Sequence, residues 1–191
     1  LYQAYFEYNS FIWLAAVSVG LSSGASGIIT AHELGHRRPR SRSWWLSRLD
    51  LMCVLYLHFT VEHNHTHHKH WAKPRDPTSS PWKRNVYVHF IRTIPLQLMG
   101  AYRAKPKDFR YSMLVQLTLL VTLFIISPVL LGVFLLQAIV AIFLLEFVNY
   151  LQHHGLVRGD NERPNASHAW ESRNRWSRWT LLELPLHPSH H

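Results

Sequence analysis

From Tyr111 to Tyr150 the chain is apolar almost without a break, and Ser127-Pro128 stands near the middle of the run. A hydrocarbon core of about 30 Å takes roughly 20 helical residues to cross, so the run covers it twice if it turns once. Proline lacks the N–H of a helix interior and is most easily placed at that turn. The pattern predicts two antiparallel transmembrane helices, about 111–126 and 129–150. A second block, Phe11 to Ala31, is long enough for another crossing. Its latter half, with Gly20, Ser22, Ser23, Gly24, Ala25, Ser26 and Gly27, allows either close helix approach or space for a ligand. The segments 44–60 and 86–102 are shorter, aromatic and interrupted by His58, Arg92 and Pro95. They read as interfacial or re-entrant helices.

The expected fold is therefore all-α, an integral-membrane helical bundle forming a single domain over 1–191. A chain that starts at Leu1 and stops at His191 inside a histidine motif is expected to be incomplete at both ends. The formal charge is +9, but the basic residues flank the apolar blocks, at 37–48, 69–84, 103–110 and 158–178. That is the positive-inside pattern of a membrane protein, not the stripe of a nucleic-acid binder. Cys53 is the only cysteine, which excludes an internal disulfide, and its apolar neighbours predict burial. Asn165-Ala166-Ser167 matches a glycosylation sequon and is read as chance, because the topology puts it in the cytoplasm. With the first helix ending there at His32, the hairpin leaves that side and returns to it at His153, and all histidine clusters face one compartment.

Those clusters carry the chemistry. His32-Glu33-Leu34-Gly35-His36 puts two imidazoles at i and i+4 on one helix face. Glu62-His63-Asn64-His65-Thr66-His67-His68 repeats that spacing and adds a neighbour, and His187-Pro188-Ser189-His190-His191 gives i, i+3 and i+4. Asn149-Tyr150-Leu151-Gln152-His153-His154 places a histidine at the end of a transmembrane helix. Imidazole suits zinc, copper, iron and nickel alike. One catalytic zinc uses about three protein ligands, so this many histidines imply two metals. A membrane zinc peptidase built on H-E-x-x-H would use only His32 and His36, and a histidine-rich metal carrier would not require the fixed helical spacings. Carboxylates are few, and Glu33, Glu62 and Asp76 are read as partners that accept a free imidazole N–H and fix its tautomer. His58 and His89 are expected to be hydrogen-bonded structural residues, His168 a solvated loop residue, and His65, His70 and His154 neighbours of the ligands.

In this order, H-E-L-G-H, E-H-x-x-x-H-H, N-Y-x-x-H and H-x-x-H-H resemble the bacterial integral-membrane alkane 1-monooxygenase family, within the wider membrane fatty acid desaturase/hydroxylase superfamily. Lys73-Pro74-Arg75-Asp76-Pro77-Thr78-Ser79-Ser80 resembles that family's extension after its second cluster. The resemblance covers the chain from about residue 20 to its end. It implies His32, His36, His63, His67, His68, His153, His187, His190 and His191 as ligands of two non-haem irons. It also implies O2 as co-substrate, terminal hydroxylation of a hydrocarbon, and electrons from a rubredoxin or ferredoxin-type donor and its reductase. The protein would lie in the bacterial inner membrane with its metals on the cytoplasmic side, in contact with lipid and apolar substrate and with no nucleic-acid partner. Two positions depart from the family pattern: His154 replaces its usual tyrosine, and Leu184-Pro185-Leu186-His187-Pro188-Ser189 replaces Leu-Gln-Arg-His-Ser-Asp. Xylene-type methyl hydroxylases share the histidine pattern, and fatty-acyl desaturases and hydroxylases also use clustered histidines at a bilayer face, so these remain alternatives to the alkane substrate.

Overall fold

A computed structural model describes residues 10–181 and Leu186. The chain packs as two compact units. Within the described residues the first unit takes 10–57 and 110–144, and the second takes 58–109, 145–181 and Leu186. The fold is all-α, and no strand occurs among the described residues. Three helices are long and apolar enough to cross a membrane: α1, Phe11–Gly35; α5, Pro106–Ile126; and α6, Pro128–His153. α5 already begins at Pro106, because proline is well suited to a first helical turn and Lys105 N–H is bonded to Ala101. Pro128 opens α6 in the same way, and the Ser127 hydroxyl accepts from Leu130 N–H. α5 leaves Leu114, Leu117, Val121, Phe124 and Ile125 exposed. An apolar surface of that extent suits an apolar neighbour rather than water.

In the first unit α1 and α6 touch through glycine. A Cβ on Gly20 would fall 2.6 Å from the Gln137 carbonyl oxygen, and one on Gly24 would fall 2.9 Å from Leu144 Cβ. The small residues at these two positions therefore serve close helix approach. Bulk at Gly24 is not expected to shorten a bound chain, since there is no space to fill. Gly24→Leu is expected instead to destabilise the protein by about 1–3 kcal/mol through overpacking, read as a lower Tm in detergent.

α2, Arg42–Cys53, starts at Ser41, whose hydroxyl accepts from Trp44 N–H. It stops short of the 44–60 segment because the following backbone is claimed by side chains distant in sequence. Arg48 donates to the Leu57 carbonyl and to Ser112 Oγ, both at 2.5 Å. Gln116 accepts from Leu57 N–H at 2.9 Å, and Gln137 donates to the Cys53 carbonyl at 2.6 Å. Leu55 takes a left-handed φ of 56° in this break. Cys53, expected to be buried, is exposed. The buried stripe of α2 runs through Ser47, Arg48 and Leu51, and two residues beyond Leu51 is the opposite face of a helix.

In the second unit α3 runs over 59–70, and α4, Val86–Ala104, is capped by Asn85 Oδ1, which accepts from Val88 N–H. The chain after α6 folds back along the segment between α3 and α4. Gly155 N–H bonds Ser80 O at 2.7 Å, and Arg158 N–H bonds Ala72 O at 2.7 Å. Gly155 has φ +75°, and any Cβ there would meet the Trp82 ring at 2.5 Å. Trp71, Ala72 and Ala169 form a small apolar core beneath this lattice. Asn165 accepts from Ser167 N–H and caps the short turn Ala166–His168, which accounts for the Asn-x-Ser pattern structurally. The last described helix is α7, Arg175–Thr180.

Candidate metal centre

Within α3, residues His63–His67 form a π-helical turn, closed by a hydrogen bond from His68 N–H to the His63 carbonyl. The wider turn closes at i+5 rather than i+4. Its consequence is that both His67 and His68 lie against His63. His63 and His67 are stacked with centroids 5.0 Å apart, and His68 meets His63 edge to face at 4.5 Å. The Nε2 atoms of His63 and His68 are 2.9 Å apart. On an ordinary α-helix, positions i and i+5 would point in widely different directions.

His67 is oriented from outside its own helix. Its Nδ1 lies 3.2 Å from both Asp76 oxygens and 2.6 Å from Thr78 Oγ1. The Thr78 hydroxyl donates to Asp76 Oδ2 at 2.8 Å, the Ser79 hydroxyl donates to the same oxygen at 2.7 Å, and Thr78 N–H donates to Oδ1. Burial disfavours the charged Asp76, but attraction to the neighbouring His67 and the hydrogen bonds from His67 and Ser79 outweigh it and hold the carboxyl at about 2. An ionised carboxylate only accepts, so Nδ1 of His67 donates to Asp76 and Nε2 is the nitrogen on the far side of the ring from it. His153, fully buried at the end of α6, lies edge-on to His67 at 5.1 Å and to Trp71 at 6.0 Å. The His63 and His68 Nε2 atoms, 2.9 Å apart, beside the carboxylate-held His67 and the buried His153, form a donor set that fits iron or another imidazole-binding transition metal.

Two further carboxylates lie buried in this unit. Glu62, expected to accept from an imidazole, does not: both its oxygens lack a hydrogen-bond partner among the described residues. Burial, then Asp76 and Glu146, push its pKa well above the usual carboxylate range. Glu146 on α6 accepts from Gln97 Nε2 at 3.0 Å and from Asn149.

In the first unit His32 is buried near the end of α1 and His36 is exposed beyond it, with rings edge to face at 5.0 Å. Glu33 Oε1 lies 3.1 Å from His32 Nδ1. His187, His190 and His191 lie outside the described residues.

The pattern of the fatty acid desaturase family matches residues 9–191. The chain belongs to the fatty acid desaturase family. It is 31% identical to the alkane 1-monooxygenase of Ectopseudomonas oleovorans, over 92% of this chain and 48% of that protein. It is 33% identical to alkane 1-monooxygenase 2 of Alcanivorax borkumensis, over 92% of this chain and 51% of that protein. The xylene/toluene monooxygenase hydroxylase component of Pseudomonas putida is 26% identical, again over 92% of the chain and 51% of the relative. The chain thus spans about half the length of the curated relatives it matches. With its three apolar helices, this family member is an integral membrane protein.

The remaining histidines of this desaturase-family chain have distinct surroundings. His89 is buried on α4 beside Thr93 Oγ1, 3.3 Å from Nε2, and burial followed by the Arg84 charge lowers its pKa to about 4. His58 is buried and His65 exposed. His154 lies 3.4 Å from Ser80 Oγ and against the rings of Tyr150 and Trp82. His168 is not solvated. It packs against Trp71, accepts from Asn165 N–H at Nδ1, and pairs with Glu162 through Nε2 at 3.1 Å. The sequence marks Thr78 and Ser79 only as part of the extension, without a role, and does not single out Trp71 or the Gln97–Glu146 pair. Glu146 carried a signal, since a carboxylate inside an apolar membrane helix is costly unless it has a function or a partner.

Proposed function

We propose that this chain is the metal-binding core of a non-haem di-iron monooxygenase that uses O2 to hydroxylate the terminal carbon of alkanes to primary alcohols. The observation that carries the reading is the His63–His67–His68 turn with its Asp76-held tautomer, in a chain similar to alkane 1-monooxygenases over nearly all its length. The ligands of the two irons are His32, His36, His63, His67, His68, His153, His187, His190 and His191. Iron held there would supply the reduction of O2 and the attack on an unactivated C–H bond. The chain's own contribution is positional. The π turn aims two Nε2 atoms of α3 at one point, Asp76 holds the His67 ring in place by accepting at Nδ1, and burial of His153 excludes water from its ring. Glu33 and Asp76 act as acceptors for ligand imidazoles.

Electrons come from a rubredoxin or ferredoxin-type protein and its reductase, and substrate arrives from the bilayer. The basic segments between apolar blocks support a metal site on the cytoplasmic side of a bacterial inner membrane. The relative that acts on xylene and toluene favours one second reading, a methyl hydroxylase of alkyl-aromatics. The test is metal analysis of the full-length protein followed by O2-dependent conversion of octane, hexadecane and xylene. Two irons per chain and a 1-alkanol product are expected. Alcohol from xylene alone would transfer the assignment to the second reading, an alkene product would indicate a desaturase, and a single zinc without iron would overturn the oxygenase.

A further inference from the structure

Beside the metal-binding turn, the second unit carries an open groove of 690 Å³ that the oxygenase reading does not use. Lys69, Arg84, Arg92 and Arg103 line it, with Leu96 and Met99 between the last two. Lys73 and Arg75 also border it but are answered by Asp160, which takes the Lys73 ammonium at its carbonyl at 2.6 Å and lies 3.7 Å from Arg75. The one lining acid, Asp76, has its oxygens committed to His67, Thr78 and Ser79. No ion pair among the described residues involves Lys69, Arg84, Arg92 or Arg103. Burial and then the charge of Arg92 lower the pKa of Arg84, so the two guanidiniums repel within the groove. This concentration of uncompensated positive charge complements an anion.

The helix that forms one wall says which anion. α4 has three faces. His89, Thr93, Gln97 and Ala101 are buried; Arg92, Leu96, Met99 and Arg103 line the groove; and Tyr87, Ile91 and Tyr102 form an exposed apolar face beside it. Tyr87 and Ile91 are 70% and 71% exposed, and α4 is not among the helices apolar enough to span. A helix with an apolar face next to a basic one lies in the interface, its rings among acyl chains and its arginines at headgroup level. A soluble acidic protein would match the charge but leave Tyr87, Ile91 and Tyr102 uncovered. We propose that this groove binds the phosphate headgroup of an anionic phospholipid, whose acyl chains run along the exposed apolar face of α4.

The site stands apart from the oxygenase reading, and its test does not depend on activity. Purified full-length holoenzyme is equilibrated with equal amounts of phosphatidylglycerol and phosphatidylcholine in detergent, washed, and its retained lipid quantified. Four uncompensated cations favour the anionic headgroup, so a preference of about tenfold or more for phosphatidylglycerol is expected, falling by at least about fivefold in Arg92→Gln/Arg103→Gln with iron content unchanged. Arg92→Lys/Arg103→Lys, which keeps the charge, retains the preference. Equal retention of the two lipids by the unsubstituted protein would overturn the proposal, as would a preference that survives the glutamine pair. Loss in the lysine pair as well would mark the arginines as structural. If the glutamine pair instead weakens binding of a rubredoxin or ferredoxin-type donor while lipid preference persists, the groove is a protein-docking surface and the lipid assignment fails.

Discussion

Loss of bound iron and of alcohol formation, with helical content retained, is the expected result of His63→Ala. His63 opens the π turn. Its Nε2 lies 2.9 Å from that of His68, its ring stacks on His67 at 5.0 Å, and its other face stacks on Phe59 at 4.9 Å. Removing the ring takes away one donor and the surface that orients two others. Deleting a group that merely supports a ligand typically costs about 10–100-fold in metal affinity or activity, so deleting this imidazole is expected to cost more than about 100-fold. Iron per chain and product per iron are the measurements. His65→Ala is the matched control, because that ring is exposed on the same turn; it is expected to stay within about twofold of the unsubstituted protein. His168 would be a poor control, since it is buried against Trp71 and paired with Glu162. An iron-replete, active His63→Ala protein would remove this residue from the ligand set.

Asp76→Ala is expected to reduce both stability and metal affinity, by a route that needs no contact with the metal. Asp76 is fully buried and accepts from Thr78 N–H, the Thr78 and Ser79 hydroxyls and His67 Nδ1. Its removal strands these donors without an acceptor, and breaking a buried charged network of this kind costs about 3–5 kcal/mol. His67 also loses what holds its proton on Nδ1, so its Nε2 lone pair is no longer assured, and metal affinity is expected to fall by about 10–100-fold. The two effects separate by measurement: the apo protein's Tm reports the stranded donors, and metal titration of the folded protein reports the tautomer. An unchanged titration with a lowered Tm would make Asp76 a purely structural residue.

The metal site was legible where its logic is local. Histidine pairs at fixed helical spacing are visible in a string of letters, as are apolar blocks of membrane length, because neither depends on a partner elsewhere in the chain. The i, i+4 reading nonetheless assumed an ordinary helix, and it treated His68 as a neighbour of the pair rather than a residue whose Nε2 faces His63. The π turn that brings His68 round is closed by one backbone hydrogen bond, from His68 N–H to the His63 carbonyl, and no residue type encodes it. Glu62 was read as an acceptor from its position beside His63, yet its side chain enters the interior next to α4, where Gly100 leaves room for it. His168 was read from its polar neighbours, but burial there is decided by Trp71, nearly a hundred positions earlier.

By itself the sequence determined that the chain is helical, that three segments are apolar enough for a bilayer, and that imidazole is its metal-binding chemistry. These are properties of composition and short-range spacing, and a lipid environment accepts an apolar helix whatever its rotation. Only the tertiary structure decided which nitrogen of His67 faces Asp76, where α2 ends and which face of α4 is basic. Each of these depends on a hydrogen bond or a packed surface between residues far apart in the chain: Asp76 for His67, Gln116 and Gln137 for the break after Cys53, and the buried stripe through His89 and Gln97 for α4.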